Sequence, residues 1–327
     1  MYDLAPLDYY FLRESEFSMK FALEFQGKVD RERLKRAIKD LQFCEPILRS
    51  GITYKDEKTV CLKPFKNYEL DFFIEESNID LPDEIIRNKF LPIQNLSEKN
   101  LLKFKLIEGP RKSFLLVSMS HLLGDGCSFF LVLKAISKFY NGENYQAFIH
   151  RRQELDLMVP ELTHLRDQEL EELVFKYSGY THEPVKQHDH FLTEELKYSQ
   201  SGLMKLLEIS REQGLRLTPH VLLMSLMTKE KCLQMSTFQG QVLVRTPVDY
   251  RRKLDLSENF FGNAIVDAHV SFTREELQSC DVFAIAIKIK ESIQKINFEQ
   301  IYKQSSALKT LRARKGIRAL RTLNCPG

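Results

Sequence analysis

Apolar side chains alternate with polar or small ones along residues 17–25, the first strongly patterned segment of the chain. Its apolar positions are Phe17, Met19, Phe21, Leu23 and Phe25. A period of two predicts a half-buried β-strand. Asp30 follows as a helix N-cap residue, and apolar residues at helical spacing from Leu34 to Leu41 predict the helix that it starts.

The same two periodicities predict the remaining elements as alternating short strands and helices. In the first half they predict a helix near 83–90 and strands at 48–54, 59–63, 71–75, 101–108 and 112–118, the last two as a hairpin. In the second half they predict helices at 200–213 and from Thr218, and strands at 189–193, 241–248 and 264–272. A capping box, Thr273 to Glu276, predicts the start of a long helix.

Helices and strands are mixed throughout, so the predicted fold class is α/β, and the chain length favours two lobes. Residues 144–186 carry more charge and weaker periodicity than the segments around them. We therefore predict an N-terminal lobe at 1–145, a linker or insertion at 146–186 and a C-terminal lobe at 187–327.

Composition narrows the classes of function. Of the 327 residues, 43% are hydrophobic and 28% charged, with a formal net charge of +3, so nucleic acid is not an expected partner. The apolar stretches are too short to form a transmembrane segment, and the N-terminus has no signal-peptide pattern. The six cysteines form no C-x-x-C pair, which is typical of reduced thiols in a cytoplasmic protein.

The strongest chemical signal is the segment HLLGDG at residues 121–126. The apolar run 114–119 before it predicts a buried strand, and apolar positions from Phe129 to Tyr140 repeat at helical spacing. His121 therefore lies in a turn between a strand and a helix, where a side chain is held rigidly and still faces a substrate. Because histidine has an ordinary pKa of about 6.5, its imidazole suits general acid–base chemistry near neutral pH.

Two later segments extend this signal. Residues 247–252 have the sequence PVDYRR, and residues 259–264 have the sequence NFFGNA. In this order, the three segments resemble the motifs of the coenzyme-A-dependent acyltransferase superfamily, which includes plant BAHD acyltransferases, condensation domains of peptide synthetases and chloramphenicol acetyltransferase. The resemblance implies a two-lobed chloramphenicol-acetyltransferase-like α/β fold, with mixed sheets, helices and an active-site channel between the lobes.

The resemblance also implies a reaction. An acyl group would pass from an acyl-CoA thioester to the hydroxyl or amine of a small molecule, with His121 as the general base. Acyl-CoA would be a co-substrate, with no permanently bound cofactor and no metal. Asp125 would form an ion pair with Arg251, or with the adjacent Arg252, that braces one lobe against the other. The residues by themselves leave a second role open for Asp125, orientation of the imidazole as in a catalytic triad.

The glycines and the asparagine of these motifs also have predicted roles. Gly124 and Gly126 would serve the turn by allowing positive φ, and Gly126 would leave no side chain in the way. Gly262 and Asn263 would border the substrate channel, where the Asn263 amide could bind a substrate or intermediate oxygen. A plain turn before the next strand is the alternative for these two residues.

Other reactive residues fit weaker alternatives. Cys127 lies beside the motif, which makes a Cys–His nucleophile conceivable, but its predicted place on the helix beyond the turn argues against that role. His182, His188 and His190 have no cysteine or acidic partners at metal-ligand spacing, so we interpret them as loop histidines.

The chain departs from the family pattern at two places. Ser120 stands where condensation domains usually have the first of two adjacent histidines. A single histidine at this place is the BAHD-like pattern. The chain has no tryptophan and lacks the D-F-G-W-G segment with which BAHD sequences continue. We therefore expect an incomplete C-terminal lobe that self-associates through an unpaired sheet edge. The apolar patch at that edge would contain Val242, Val244, Ile265 and Val266.

Two rival functions follow from these departures. A condensation-like enzyme would use an acyl carrier protein as the donor in place of acyl-CoA. A non-catalytic binding module, a truncated acyltransferase fold, would bind a partner through its basic C-terminus. The segment 288–321 contains ten Lys or Arg and two Glu, and such a stretch either binds acidic or phosphate-bearing partners or is a solvated helix face.

Overall fold

The computed structural model describes residues 1–12, 18–55, 60–66, 68–93, 100–150, 162–176, 199–234 and 241–315. The chain forms two compact units. Unit 1 consists of Met1–Ser178, Asp249–Ile265 and Glu299–Gly327, and unit 2 consists of Gly179–Val248 and Val266–Phe298. The boundaries expected at 145 and 187 therefore differ from this division, because residues 146–178 belong to unit 1 and two later segments return to it.

Unit 1 contains two sheets. Its strands are β1 (Tyr2–Asp3), β2 (Ser18–Gln26), β3 (Ser50–Tyr54), β4 (Val60–Pro64), β5 (Phe72–Glu76), β6 (Leu102–Glu108) and β7 (Lys112–Ser120). The larger sheet has the order β2-β7-β6-β5 and the smaller one the order β1-β4-β3. β7 pairs antiparallel with β2 and β6, so the predicted hairpin is confirmed, and β5 runs parallel to β6. Every residue of β7 after Lys112 is buried, which gives the following turn a rigid base.

Helices α1 (Arg31–Cys44), α2 (Asp83–Arg87), α3 (Gly126–Asn141) and α4 (Asp167–Lys176) also belong to unit 1. Asp30 accepts a hydrogen bond from the Arg33 amide as the N-cap of α1, and Leu34 and Leu41 are buried, so the predicted helix is confirmed. α1 packs against α3, whose Phe129 is fully buried in the same apolar core.

Unit 2 is built from α5 (Gln200–Glu212), α6 (Pro219–Gln234), β8 (Gln241–Asp249), β9 (Ile265–Thr273), α7 (Arg274–Ser279) and α8 (Val282–Gln294). The helix predicted from Thr273 is shorter than expected, since α7 ends at Ser279. Asp281 then accepts a hydrogen bond from the Ala284 amide as the N-cap of a separate helix, α8. The strand predicted at 189–193 lies outside the described residues.

The last described helix, α9 (Phe298–Lys315), carries five of the ten Lys and Arg of the segment 288–321 and belongs to unit 1 from Glu299 onwards. Its apolar side belongs to the unit 1 core and consists of Ala307, Leu308 and Leu311. The buried Arg312 donates a hydrogen bond to the carbonyl of Tyr9 at 2.5 Å. α9 is therefore an integral helix of unit 1, and not only a solvated basic face.

The predicted apolar patch on the sheet of unit 2 is wrong. Val244 and Val266 are buried, while Val242 and Ile265 are half-buried, and Val244 and Val242 pack against apolar residues of the helices of this unit. Self-association itself stays a prediction. Within the described ranges, no helix is long and apolar enough to cross a membrane.

Candidate active site

The candidate active site begins where β7 ends. The Ser120 carbonyl accepts a hydrogen bond from the Leu123 amide at 3.0 Å, and its side-chain oxygen accepts one from the Leu122 amide at 3.2 Å. Both bonds close the chain into a tight turn directly after the buried strand. Ser120 therefore shapes the turn that presents His121.

His121 lies in this turn and is half-buried. Its imidazole stacks on the ring of Phe11, with 4.4 Å between the ring centroids and 9° between the ring planes. Nδ1 of His121 is buried. Phe11 ends a 3-10 helix, Pro6–Phe11, near the start of the chain, so a distant segment fixes the orientation of the ring.

Asp125 is the N-cap residue of α3 and is almost fully buried. Its Oδ1 accepts hydrogen bonds from the Ser128 amide at 3.0 Å and from Nη2 of Arg251 at 2.8 Å. Its Oδ2 accepts from Nη1 of Arg251 at 3.0 Å and from the Ala264 amide at 2.8 Å. Arg251 is thus the partner of Asp125, and the alternative Arg252 is exposed. With four donors on its two oxygens, the carboxylate is not arranged as the imidazole-orienting member of a triad.

Arg251 is 4% exposed and connects several parts of the site. Besides Asp125, it donates to Oδ1 of Asp249 at 3.0 Å and to the Gly262 carbonyl at 3.1 Å. Burial favours its neutral form, but the hydrogen bonds and charges of the two aspartates outweigh this effect and raise the pKa of Arg251. Asp125 and Arg251 both belong to unit 1, as do Asp249 and Gly262. The expected brace between two lobes is therefore an ion pair within one unit.

The glycines of the turn differ from the prediction. Neither Gly124 nor Gly126 has a positive φ. A Cβ atom on Gly124 would lie 2.6 Å from the side chain of Ser128, so close approach is what requires glycine there. Around a Cβ atom on Gly126, no atom of the described residues lies within 4 Å. Ser128 uses the space beside Gly124 to donate to the Gly262 carbonyl at 2.9 Å and to accept from its amide at 3.0 Å.

Asn263 is 2% exposed and binds protein groups through its amide nitrogen. Nδ2 donates to Oδ1 of Asp8 at 2.6 Å and to the backbone carbonyl of His121 at 2.7 Å. Both hydrogens of the amide are therefore used within the protein, which argues against the predicted bond to a substrate oxygen. Its Oδ1 is buried and has no hydrogen-bond partner among the described residues.

Four residues of this cluster had no predicted role: Asp8, Phe11, Ser128 and Asp249, the last of which lies within the motif segment PVDYRR. One signal was present, since Asp8 is a charged residue within the otherwise apolar stretch 4–12. Phe11 and Ser128 lie in ordinary apolar and helical patterns, and their contacts with the motifs join segments far apart in the chain, which leave no local period.

The Cys–His alternative loses support. Burial is the main reason why the pKa of the Cys127 thiol is raised to about 11; Arg251 acts to lower this pKa, and the carboxylates of Asp125 and Asp249 act to raise it. A thiol with such a pKa is mostly protonated at neutral pH and is a poor nucleophile. No group of His, Cys, Asp and Glu with the arrangement of a metal site occurs in the part of the chain that the structure describes. His182, His188 and His190 lie outside it.

The family model of the Condensation domain matches residues 7–175. Surfactin synthase subunits 2 and 1 of Bacillus subtilis (strain 168) are 26% and 25% identical over 133 and 134 residues, which are 40% and 41% of this chain. The matched segment spans only 4% of the length of each of these two relatives.

Several solved structures have a similar fold. TRI101 of F. graminearum, complexed with coenzyme A and deoxynivalenol, has a TM-score of 0.65 at 14% identity, covering 96% of this chain and 79% of that one. The condensation domain of the monacolin K polyketide synthase MokA has a TM-score of 0.59 at 13% identity, covering 90% and 73%. The four-domain nonribosomal peptide synthetase AB3403 has a TM-score of 0.62 at 14% identity, covering 93% and 25%. The predicted α/β fold class is confirmed.

Proposed function

The chain belongs to the condensation-domain family, and from that premise we propose that it transfers an acyl group from a thioester to a hydroxyl or amine. One observation carries this proposal. His121 is held at the end of a buried strand by a stacked ring and a backbone hydrogen bond, while Asp125 is fully engaged with Arg251 and two backbone amides. The ionisable group that suits proton transfer in this turn is therefore the imidazole.

In the proposed reaction, the acceptor oxygen or nitrogen attacks the thioester carbonyl carbon while His121 removes its proton. The new C–O or C–N bond forms, the C–S bond breaks, and the imidazolium returns the proton to the leaving thiolate. No covalent acyl-enzyme is needed, because the thioester is already activated. Since Nδ1 is buried, we assign the proton transfer to Nε2.

In this proposal, Asp125 and Arg251 do no chemistry. Their bidentate pair ties the first turn of α3 to the 249–264 segment, and the Gly262 and Ala264 bonds extend the tie. Gly262 and Asn263 keep the backbone next to His121 in place. Gly126, beside which the described residues leave open space, is the part of the motif loop past which a substrate would approach.

We propose acyl-CoA as the donor and a small molecule as the acceptor. The similarity to TRI101, solved with coenzyme A, supports this choice over most of the chain. An acyl carrier protein is the second candidate donor, because the family model and the surfactin synthase relatives both favour it. Either donor presents the same thioester, so the proposed role of His121 does not depend on the choice.

The test compares His121→Ala with the wild type and with His164→Ala, a control at an exposed histidine of unit 1. Thiol release and product formation are measured with acyl-CoA donors and with acyl carrier protein, each against panels of alcohols and amines. His121→Ala should lower turnover by about 10²–10⁴-fold, the range of general base catalysis, while His164→Ala should not. Unchanged turnover in His121→Ala would exclude it as the base. A folded wild type that uses neither donor would favour the non-catalytic binding module.

A further inference from the structure

The 3-10 helix Pro6–Phe11 reaches the turn of His121 by two routes. Phe11 covers one face of the imidazole, with parallel rings 4.4 Å apart. Asp8, which is fully buried, accepts a hydrogen bond from Asn263, and the same amide nitrogen donates to the His121 carbonyl. The helix therefore contacts the imidazole directly and the backbone of the same residue through one intermediate.

We propose that this helix positions the general base, with Phe11 and Asp8 as positioning residues. This inference rests on the proposed function and adds to it a segment that none of the three sequence motifs contains. Phe11 fixes the orientation of the imidazole ring of His121, and Asp8, through Asn263, fixes the position of the His121 backbone.

The Asp8 route is rigid because both oxygens of the Asp8 side chain accept hydrogen bonds. Its Oδ2 accepts from the Ala5 amide at 2.8 Å, so the carboxylate is anchored within its own helix. Its Oδ1 then accepts the short bond from Asn263 at 2.6 Å. The Asn263 amide cannot rotate without placing its oxygen against two acceptors, Asp8 and the His121 carbonyl. The turn is thereby tied to the helix at a fixed distance.

The Phe11 route acts on the charge of the ring as well as on its orientation. When His121 takes a proton from the acceptor, a cation forms against the face of an aromatic ring, which attracts it. Among the described residues, Asp125 is paired with Arg251 and Asp8 is bonded to Asn263. Replacing Phe11 therefore removes one contact to the imidazole without changing the charge of the protein.

The test uses Phe11→Leu in the full-length protein, with Phe21→Leu as the matched control. Phe21 stacks on Phe129 at 4.1 Å and 19°, so its replacement also removes a half-buried stacked ring in unit 1. Phe11→Leu should lower kcat by about tenfold or more through misplacement of the base, with KM little changed. The midpoint of its kcat–pH profile should fall by about half a pH unit, because the imidazolium loses its aromatic partner. Phe21→Leu should leave that midpoint in place, and Phe11→Tyr should restore it.

A second measurement separates this inference from the proposed function. NMR titration of ¹⁵N-labelled histidine in the full-length protein, with the His121 signal assigned by His121→Asn, reports the ring in the absence of turnover. The His121 midpoint should fall in Phe11→Leu and not in Phe21→Leu, even if no acyl donor is found. An unchanged midpoint in folded Phe11→Leu would overturn the inference, as would an equal shift in Phe21→Leu. If Phe11→Leu and Phe11→Met both fail to fold while Phe21→Leu folds, Phe11 is structural and the inference fails.

Discussion

Replacement of Asp125 by asparagine tests the ion pair at the centre of the site. The carboxylate is 3% exposed and accepts two hydrogen bonds on each oxygen. In Asp125→Asn, an NH₂ group takes the place of one oxygen and meets two donors. One orientation of the amide sets it against Ser128 and Arg251, and the other sets it against Ala264 and Arg251. Rotation of the asparagine amide changes which backbone donor its NH₂ group meets, but the conflict with two donors remains.

The size of the effect follows from the burial of Arg251. Breaking a buried pair by removing one partner costs about 3–5 kcal/mol, because the other charge stays buried without compensation. Asp249 still contacts Nη1 of Arg251 at 3.0 Å, but its side chain is 42% exposed and water screens its charge. We therefore expect Asp125→Asn to lower the free energy of unfolding by about 3 kcal/mol, the lower end of that range.

Asp249→Asn is the matched control, because it removes the other carboxylate of the same arginine. As a half-exposed partner, it should cost only about 0–1 kcal/mol. Urea unfolding of the full-length protein measures both losses, and hydrogen exchange of peptides from α3 assigns them to unit 1. Adding Arg251→Met to Asp125→Asn should recover part of the loss, since no unpaired buried cation remains. Equal losses in the two single variants, or a loss below about 1 kcal/mol in Asp125→Asn, would refute the reasoning.

Two further predictions concern the residues around this pair. Gly124→Ala should destabilise the protein by about 1–3 kcal/mol, because the added Cβ would overlap the side chain of Ser128. Gly126→Ala should be neutral or slightly stabilising, because no described atom lies near the added Cβ. Thermal unfolding compares the two variants, and an equal effect would contradict the close-approach argument. The Cys127 thiol, with a pKa of about 11 instead of 9.0, should carry about 100-fold less thiolate at neutral pH than an ordinary thiol. The rate of Cys127 alkylation, followed by mass spectrometry, should therefore be low at neutral pH and should rise with pH up to about 11. The urea-unfolded chain is the control. Fast labelling of the folded protein at about pH 7 would show that the thiol is activated.

Local patterns predicted the elements that carry the site. The apolar run before His121 and the helical spacing after it correctly indicated β7 and α3, since burial on a strand and on one helix side leaves a short period in the sequence. Asp125 shows what local pattern could not supply. Its N-cap role depends on residues nearby, but its pairing with Arg251 was predicted only through resemblance to a family.

The contacts that could not be predicted join segments far apart in the chain. Asp8 and Asn263 are separated by 255 positions, and no periodicity records that they meet. The return of the chain to unit 1 after Val248 is invisible for the same reason. In α9, abundant Lys and Arg concealed an apolar side that packs in the core, so average charge was a poor guide to burial. At Cys280, a helix break was overlooked although Asp281 is a good N-cap residue.

In the motif turn, the groups that hold the backbone in place differ from the group that would carry the proton. Asp125 directs both oxygens to donors that hold α3, Arg251 and the Ala264 amide together, so it cannot follow a moving proton without releasing one of them. The bond from Asn263 reaches the backbone of His121 and leaves the imidazole to meet an apolar ring. A base needs this combination of a fixed backbone and a ring whose proton can change. Substitution of Asp125 should therefore reduce activity together with the folded fraction or the geometry of the turn, whereas His121→Ala should lower transfer by about 10²–10⁴-fold in a protein that stays folded.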